Sequence, residues 1–333
     1  MANPVVFSMY ADSKTALVKG VANGIVSHYV FPDIAERVAR DLQTRLDAGD
    51  YFAIHDPVAL GEKITADILA IANDKHIRLR FSASATSPPG PQGASGQAEA
   101  EYRARCLDCN FGVERVERLP INIGYVELRG FMRTDLAGEA IAAAMTLIAN
   151  TDALIFDLRR NGGGYPETVA LVSSYLLDEP RHLNSFYLRE GDKTRQFWTQ
   201  PWVPGRKYGE TKPVFVLISP ATFSAAEEFA YNLQCLKRAT IFGESSRGGA
   251  HPGEFHWITP HYSLCIPGGR AINPITHSNW EGCGVEPDAR VPHADALRTA
   301  QLLALEQMGA QQKNPLRQAE IEERIRALQG DAQ

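Results

Sequence analysis

Beyond about residue 111 the chain alternates short, wholly apolar runs with amphipathic stretches, and that alternation constrains the fold most. Ala153-Leu-Ile-Phe156 and Val214-Phe-Val-Leu-Ile218 are apolar without interruption. Runs of this length, bounded by turn residues, read as strands buried on both faces. Strands are expected at 111–118, 122–128, 153–158, 184–189 and 213–219, and helices at 135–149, 166–177 and 224–237. Strand–helix–strand order needs crossover connections, which implies a largely parallel sheet. Further strands are expected between 238 and 272. The chain then returns to helix, with Leu297, Leu302, Leu305, Ile321, Ile325 and Leu328 as apolar positions.

The first 75 residues have a different texture. Leu17, Val21, Ile25 and Val26 make one helical stripe, and Ile34, Val38, Leu42 and Leu46 make a second after Pro32. Leu60, Ile64, Ile68 and Ile71 make a third. Three short-looped helices predict a small bundle. His76 to Phe81 alternates and reads as a strand. Pro88-Pro-Gly-Pro91, Gly93 and Gly96 then mark a loop or linker. The expected division is a helical bundle over 1–81, a Pro/Gly-rich linker over 82–110 and an α/β core with C-terminal helices over 111–333. A length of 333 residues fits about two domains. No internal repeat is visible.

Composition narrows the function classes. Lys and Arg total 34 against 39 Asp and Glu, a net charge of −5, so nothing points to a nucleic-acid partner. No apolar run approaches a membrane span. The first residues lack a basic segment followed by an apolar one, so a cytoplasmic location is expected. Five cysteines, an odd number, fit free thiols. Cys106-Leu-Asp-Cys109 has metal or redox spacing but no second pair, and thiols are the expected reading.

Three places could carry chemistry. Asp157-Leu-Arg-Arg-Asn-Gly-Gly-Gly164 follows a buried strand. Its glycines permit close backbone approach, and a following helix N-terminus adds positive potential. The turn could hold an oxyanion, or could simply need positive φ. No Lys-Ser/Thr follows, so it is not a Walker loop. Ser224-Ala-Ala-Glu227 opens a helix after the 214–218 strand. It reads either as a capping box or as a nucleophile whose neighbour Ala225 lends an N–H to a developing oxyanion. His277 to Asp288 is a loop, where Glu281 could orient a histidine or be solvated.

These pieces, in this order, resemble the C-terminal-processing (tail-specific) serine peptidase family, and most closely its interphotoreceptor retinoid-binding-protein-like branch. The resemblance rests on Asn73-Asp-Lys-His76, Asn122-Ile-Gly-Tyr-Val126, the Asn-Gly-Gly-Gly turn, Thr222-Phe-Ser-Ala-Ala-Glu227, Gly243-Glu-Ser-Ser-Arg-Gly-Gly-Ala-His-Pro252 and Gly284-Val-Glu-Pro-Asp288. It covers nearly the whole chain. It implies a ClpP/crotonase-like α/β core with a largely parallel sheet, preceded by the three-helix bundle. It also implies no metal and no cofactor.

The resemblance assigns roles by position. Ser224 falls on the nucleophile, and Gly163 or Gly164 with Ala225 on the oxyanion hole. Many members pair the serine with a lysine, but Gly248-Gly249-Ala250 stands where that lysine would be. Other members use histidine and glutamate. His76 in Asp74-Lys-His76 matches the histidine of the chlamydial member, and Glu281 matches the glutamate. The implied triad is therefore Ser224, His76 and Glu281, with His251 as the alternative base. Processing members also carry a PDZ domain between bundle and core. Residues 82–110 are too few for one.

The expectation is a serine peptidase or acyl hydrolase acting on a peptide or small hydrophobic substrate. Two alternatives stand beside it. One is a hydrophobic-ligand binder, for retinoid or fatty-acid-like molecules, on a degenerate scaffold. The other is a non-peptidase tailoring enzyme using the same site. The oligomeric state is not legible.

Overall fold

The computed structural model describes residues 11–85 and 94–330. The expectations for the extreme N-terminus and for Pro88 to Gly93 lie outside the described residues. The chain divides into two compact units: 1–99 with 186–195 and 251–271, and 100–185 with 196–250 and 272–333.

In the first unit the three stripes form helices α1 (Ala11–His28), α2 (Pro32–Ala48) and α3 (Pro57–Ala72). Pro starts α2 and α3 where its missing N–H does no harm. Asp56 caps α3 by accepting the N–H groups of Val58 and Ala59. The helices bury Leu17, Val21, Val38, Leu42, Leu60 and Ile64. The unit is not a bundle alone, however. Strand β1 (Arg78–Phe81) pairs antiparallel with a strand from much later in the chain, Tyr262–Pro267, which in turn pairs with Gly253–Thr259. Tyr262, Leu264 and Ile266 join the helical core.

The segment expected as a linker also needs correction. It contains helix α4 (Ala94–Asp108). Its composition is Ala- and Glu-rich beyond Gly96, which favours helix once a partner surface is present.

The second unit is built on a six-stranded sheet. Its strands are β2 (Val113–Leu119), β3 (Ile123–Leu128), β4 (Ala153–Asp157), β7 (Val214–Ile218), β8 (Thr240–Gly243) and β12 (Ala289–Arg290). In space they run β12-β8-β7-β4-β3-β2, with β2 antiparallel at the edge and the rest parallel. Strands β5 (His182–Leu188), β6 (Lys193–Trp198) and β11 (Gly269–Ile272) lie outside that sheet. The strands already described from 253–259 and 262–267 are β9 and β10.

Strand alternation decides what each face of the main sheet meets. Ile123, Tyr125, Ile155, Phe215 and Leu217 pack with Ala300, Leu305 and Ile321 of the C-terminal helices α8 (Ala296–Gln311) and α9 (Pro315–Gly330). Helices α5 (Thr134–Ile148), α6 (Pro166–Ser174) and α7 (Ala225–Cys235) complete the unit. On the other face Phe156 meets Phe229 of α7 edge to face, with centroids 5.2 Å apart. Both faces of β4 and β7 are therefore buried, which explains their unbroken apolar runs.

Candidate active site

Parallel neighbours β4 and β7 end at the same edge of the sheet, where open α/β folds place their ligands. The loops that follow them are stitched together. Thr222 Oγ1 donates to Leu158 O at 2.8 Å, Ser219 Oγ to Arg159 O at 2.5 Å, and Phe223 N to Asn161 O at 3.1 Å. Arg159 is itself fixed, donating Nη2 to Asp157 Oδ2 at 2.5 Å. Burial works to raise the Asp157 pKa, and the Arg159 guanidinium overcomes it and holds the carboxyl below its usual range.

This stitching drives the glycine turn against the serine. Ser224 has φ 56° and ψ −124° at the start of α7, a conformation that strains any residue with a Cβ. A Cβ on Gly163 would lie 2.7 Å from Ser224 Cβ, 2.9 Å from Phe223 O and 3.1 Å from Ala225 N. Only glycine fits there. Gly164 is equally constrained, with φ 142° and Phe131 O 2.0 Å from where its Cβ would be.

The backbone donors sort cleanly. The Gly163 N–H is taken by buried Asn161 Oδ1 at 2.9 Å, and Asn161 Nδ2 donates to Leu128 O at 3.0 Å. Among the described residues, the N–H groups of Gly164 and Ala225 donate no hydrogen bond. Two uncommitted N–H groups beside a strained serine at a helix N-terminus can stabilise a developing oxyanion.

Ser224 and Glu227 form the capping box that the spacing allows, and Glu227 does more. Glu227 Oε2 accepts the Ser224 N–H at 2.8 Å and the Gly249 N–H at 2.9 Å. Its Oε1 accepts from Gly248 N at 2.5 Å and Ser246 Oγ at 2.6 Å. Burial pushes this carboxyl above its usual range, against the pull of those four donors. The next N–H, that of Ala250, goes to Glu281 Oε2 at 2.5 Å. Trp280 Nε1 closes the same contact by donating to Gly249 O at 2.7 Å. So the Gly-Gly-Ala stretch offers three successive backbone donors to two carboxylates.

Behind Ser224, one helical turn on, lies Glu228, whose own N–H bonds to Ser224 O at 2.9 Å. Its carboxyl is fully buried and faces Asn184, Asn232 and Glu167. Burial pushes its pKa up to about 8, which favours the protonated acid over the buried carboxylate.

In the first unit, buried Asp74 gathers three donors. His251 Nδ1 stands 2.7 Å from Asp74 Oδ2, and Tyr29 OH donates to the same oxygen at 3.2 Å. The His76 backbone N–H donates to Oδ1 at 3.1 Å, and His76 Nδ1 lies 3.8 Å from that oxygen. A carboxylate on Nδ1 fixes an imidazole's tautomer and orientation.

The residues picked from sequence thus fall into two sets. Ser224, Gly163, Gly164, Ala225 and Glu281 belong to the second unit. His76 and His251 belong to the first, on a shared Asp74. Sequence reasoning missed Asp74 as a hub, although it stands inside the Asp74-Lys-His76 motif. It also missed Asn161 and Glu227 as the groups that shape the turn.

Residues 122–291 match the family model for peptidase family S41, and residues 11–105 match the N-terminal domain of peptidase S41 in eukaryotic IRBP. The carboxyl-terminal-processing peptidase 2, chloroplastic, of Arabidopsis thaliana is 26% identical over 180 residues, covering 51% of this chain and 32% of that protein. The chain therefore spans about a third of that relative's length. Among solved structures, the photosystem II D1 C-terminal processing protease aligns with TM-score 0.52 and 16% identity, over 84% of this chain and 94% of that one. A lipoprotein from Streptococcus agalactiae aligns with TM-score 0.55 and 15% identity, over 88% and 96%. At such identities the two structures speak for the fold.

Proposed function

We propose that this chain, which belongs to peptidase family S41, hydrolyses peptide bonds with Ser224 as its nucleophile. One observation carries the reading: Ser224 sits strained at the start of α7, pressed by Gly163 and flanked by the uncommitted N–H groups of Gly164 and Ala225.

Ser224 Oγ attacks the substrate carbonyl carbon while a histidine takes its proton. The tetrahedral oxyanion accepts hydrogen bonds from Gly164 N and Ala225 N, and the imidazolium returns the proton to the departing amine. Water then cleaves the acyl ester on Ser224 with the same imidazole as base. His76 is the base in this reading, with Glu281 as the carboxylate that stabilises its imidazolium. A second reading makes His251 the base and Asp74 its orienting carboxylate, and the 2.7 Å Asp74–His251 bond favours it.

The match over 122–291 favours peptide hydrolysis over hydrophobic-ligand capture or small-molecule tailoring. The substrate in this reading is a peptide, met without a PDZ domain between the two matched segments, which residues 106–121 separate. A cytoplasmic location is part of the proposal, supported by cysteines that are free rather than paired.

A mixture of short synthetic peptides, followed by mass spectrometry, tests the function. Wild type should generate new termini, and Ser224→Ala should lower that rate by about 10³-fold or more. Equal cleavage by both proteins would contradict the proposal.

A further inference from the structure

The residue after Gly164 is a tyrosine with 38% of its surface exposed. Its backbone is pinned, because Tyr165 N donates to Phe131 O at 2.7 Å. Its ring is braced from outside by Tyr102 of α4, edge to face, with centroids 6.1 Å apart. Tyr102 is held in turn. Its hydroxyl accepts the Arg133 N–H at 3.0 Å and stands 4.0 Å from Met132 Sδ. The guanidinium groups of Arg133 and Arg105 lie 5.5 and 5.9 Å from its ring centre. Tyr165 thus follows the glycine turn directly with Tyr102 against its ring, and Met132 reaches the hydroxyl end of Tyr102.

Position gives the Tyr165 ring its meaning. Successive Cα atoms are 3.8 Å apart, so a carbonyl oxygen bound by Gly164 N holds its flanking side chains within reach of the next residue's ring. We propose that Tyr165, braced by Tyr102, is a specificity-determining residue that selects peptides with a large apolar or aromatic side chain beside the scissile bond. The inference rests on Ser224 being the nucleophile and on Gly164 N serving the oxyanion. A planar ring supplies contact area at little entropic cost.

Paired fluorogenic peptides test this, with Phe or Ala on either side of one scissile bond. Active-site titration with a small fluorophosphonate first establishes that Ser224 reacts. No titration in wild type would overturn the nucleophile itself rather than the specificity. With titration established, kcat/KM for the Phe peptide should exceed that for the Ala peptide by about tenfold or more at one position. Tyr165→Ala should bring the ratio near unity, chiefly through KM, and Tyr165→Phe should keep it. If Tyr165→Ala does not fold, Tyr165→Thr and the wild-type ratio carry the test. A wild-type ratio near unity, or a ratio that survives removal of the ring, overturns the inference.

Discussion

Gly163 and Ser224 approach so closely that a methyl group on the glycine would stand 2.7 Å from the serine's Cβ. With φ 107° at Gly163, alanine there is strained twice, by conformation and by collision. Gly163→Ala should lower stability by about 2 kcal/mol and push the turn off Ser224. Urea melts and peptide cleavage read the two effects. Full activity in a stable variant would refute the packing.

Two adjacent acids on α7 predict opposite responses to the same change. Glu227 accepts four hydrogen bonds, two of them from the Gly248 and Gly249 N–H groups. Glu227→Gln would turn an amide NH2 toward those donors, at a loss of about 2–4 kcal/mol and of the Ser224 geometry. Wild-type stability in this variant would mean the carboxylate is not required.

Glu228 should behave the other way. Its folded pKa, about 8, lies above the ordinary carboxyl value, so the native state binds the proton more tightly than the unfolded state. Between those two values the native state holds more protons, and stability falls as pH rises, by at most about 1.4 kcal/mol per unit. Above about 8 the slope from this group ends. Glu228→Gln is neutral throughout and should lack that slope. Denaturation midpoints for both proteins from about pH 5 to pH 9 would show it. Parallel curves would place the Glu228 carboxyl in its ordinary range.

The two histidines on Asp74 separate by substitution. His76→Ala should reduce peptide cleavage by about 10³-fold or more, if His76 is the base. His251→Ala should lower stability, since it strips buried Asp74 of its 2.7 Å partner, yet retain more activity than His76→Ala. The reverse order of activities would assign the base to His251.

Much of the fold was legible because its signals are local. The unbroken apolar runs of β4 and β7 announced strands buried on both faces, and the stripes of α1 to α3 announced helices. What stayed hidden is carried by distant pairing. Strand β1 finds β10 some 180 residues later, and Asp74 finds His251 across 177 positions. No periodicity encodes either. The site divides the same way. Ser224 and the glycine turn were visible from residue types in order. The choice of Gly164 over Gly163 as donor was not, because it depends on Asn161 taking the Gly163 N–H. The capping-box spacing was visible too, but not that Glu227 also anchors Gly248 and Gly249.

The central claim is that Ser224 is a reactive nucleophile, and covalent labelling tests it most directly. Wild type treated with a fluorophosphonate and digested should carry the adduct on the peptide that contains Ser224, and Ser224→Ala should carry none. Absence of an adduct in the folded wild type, or equal labelling of Ser224→Ala, would contradict it.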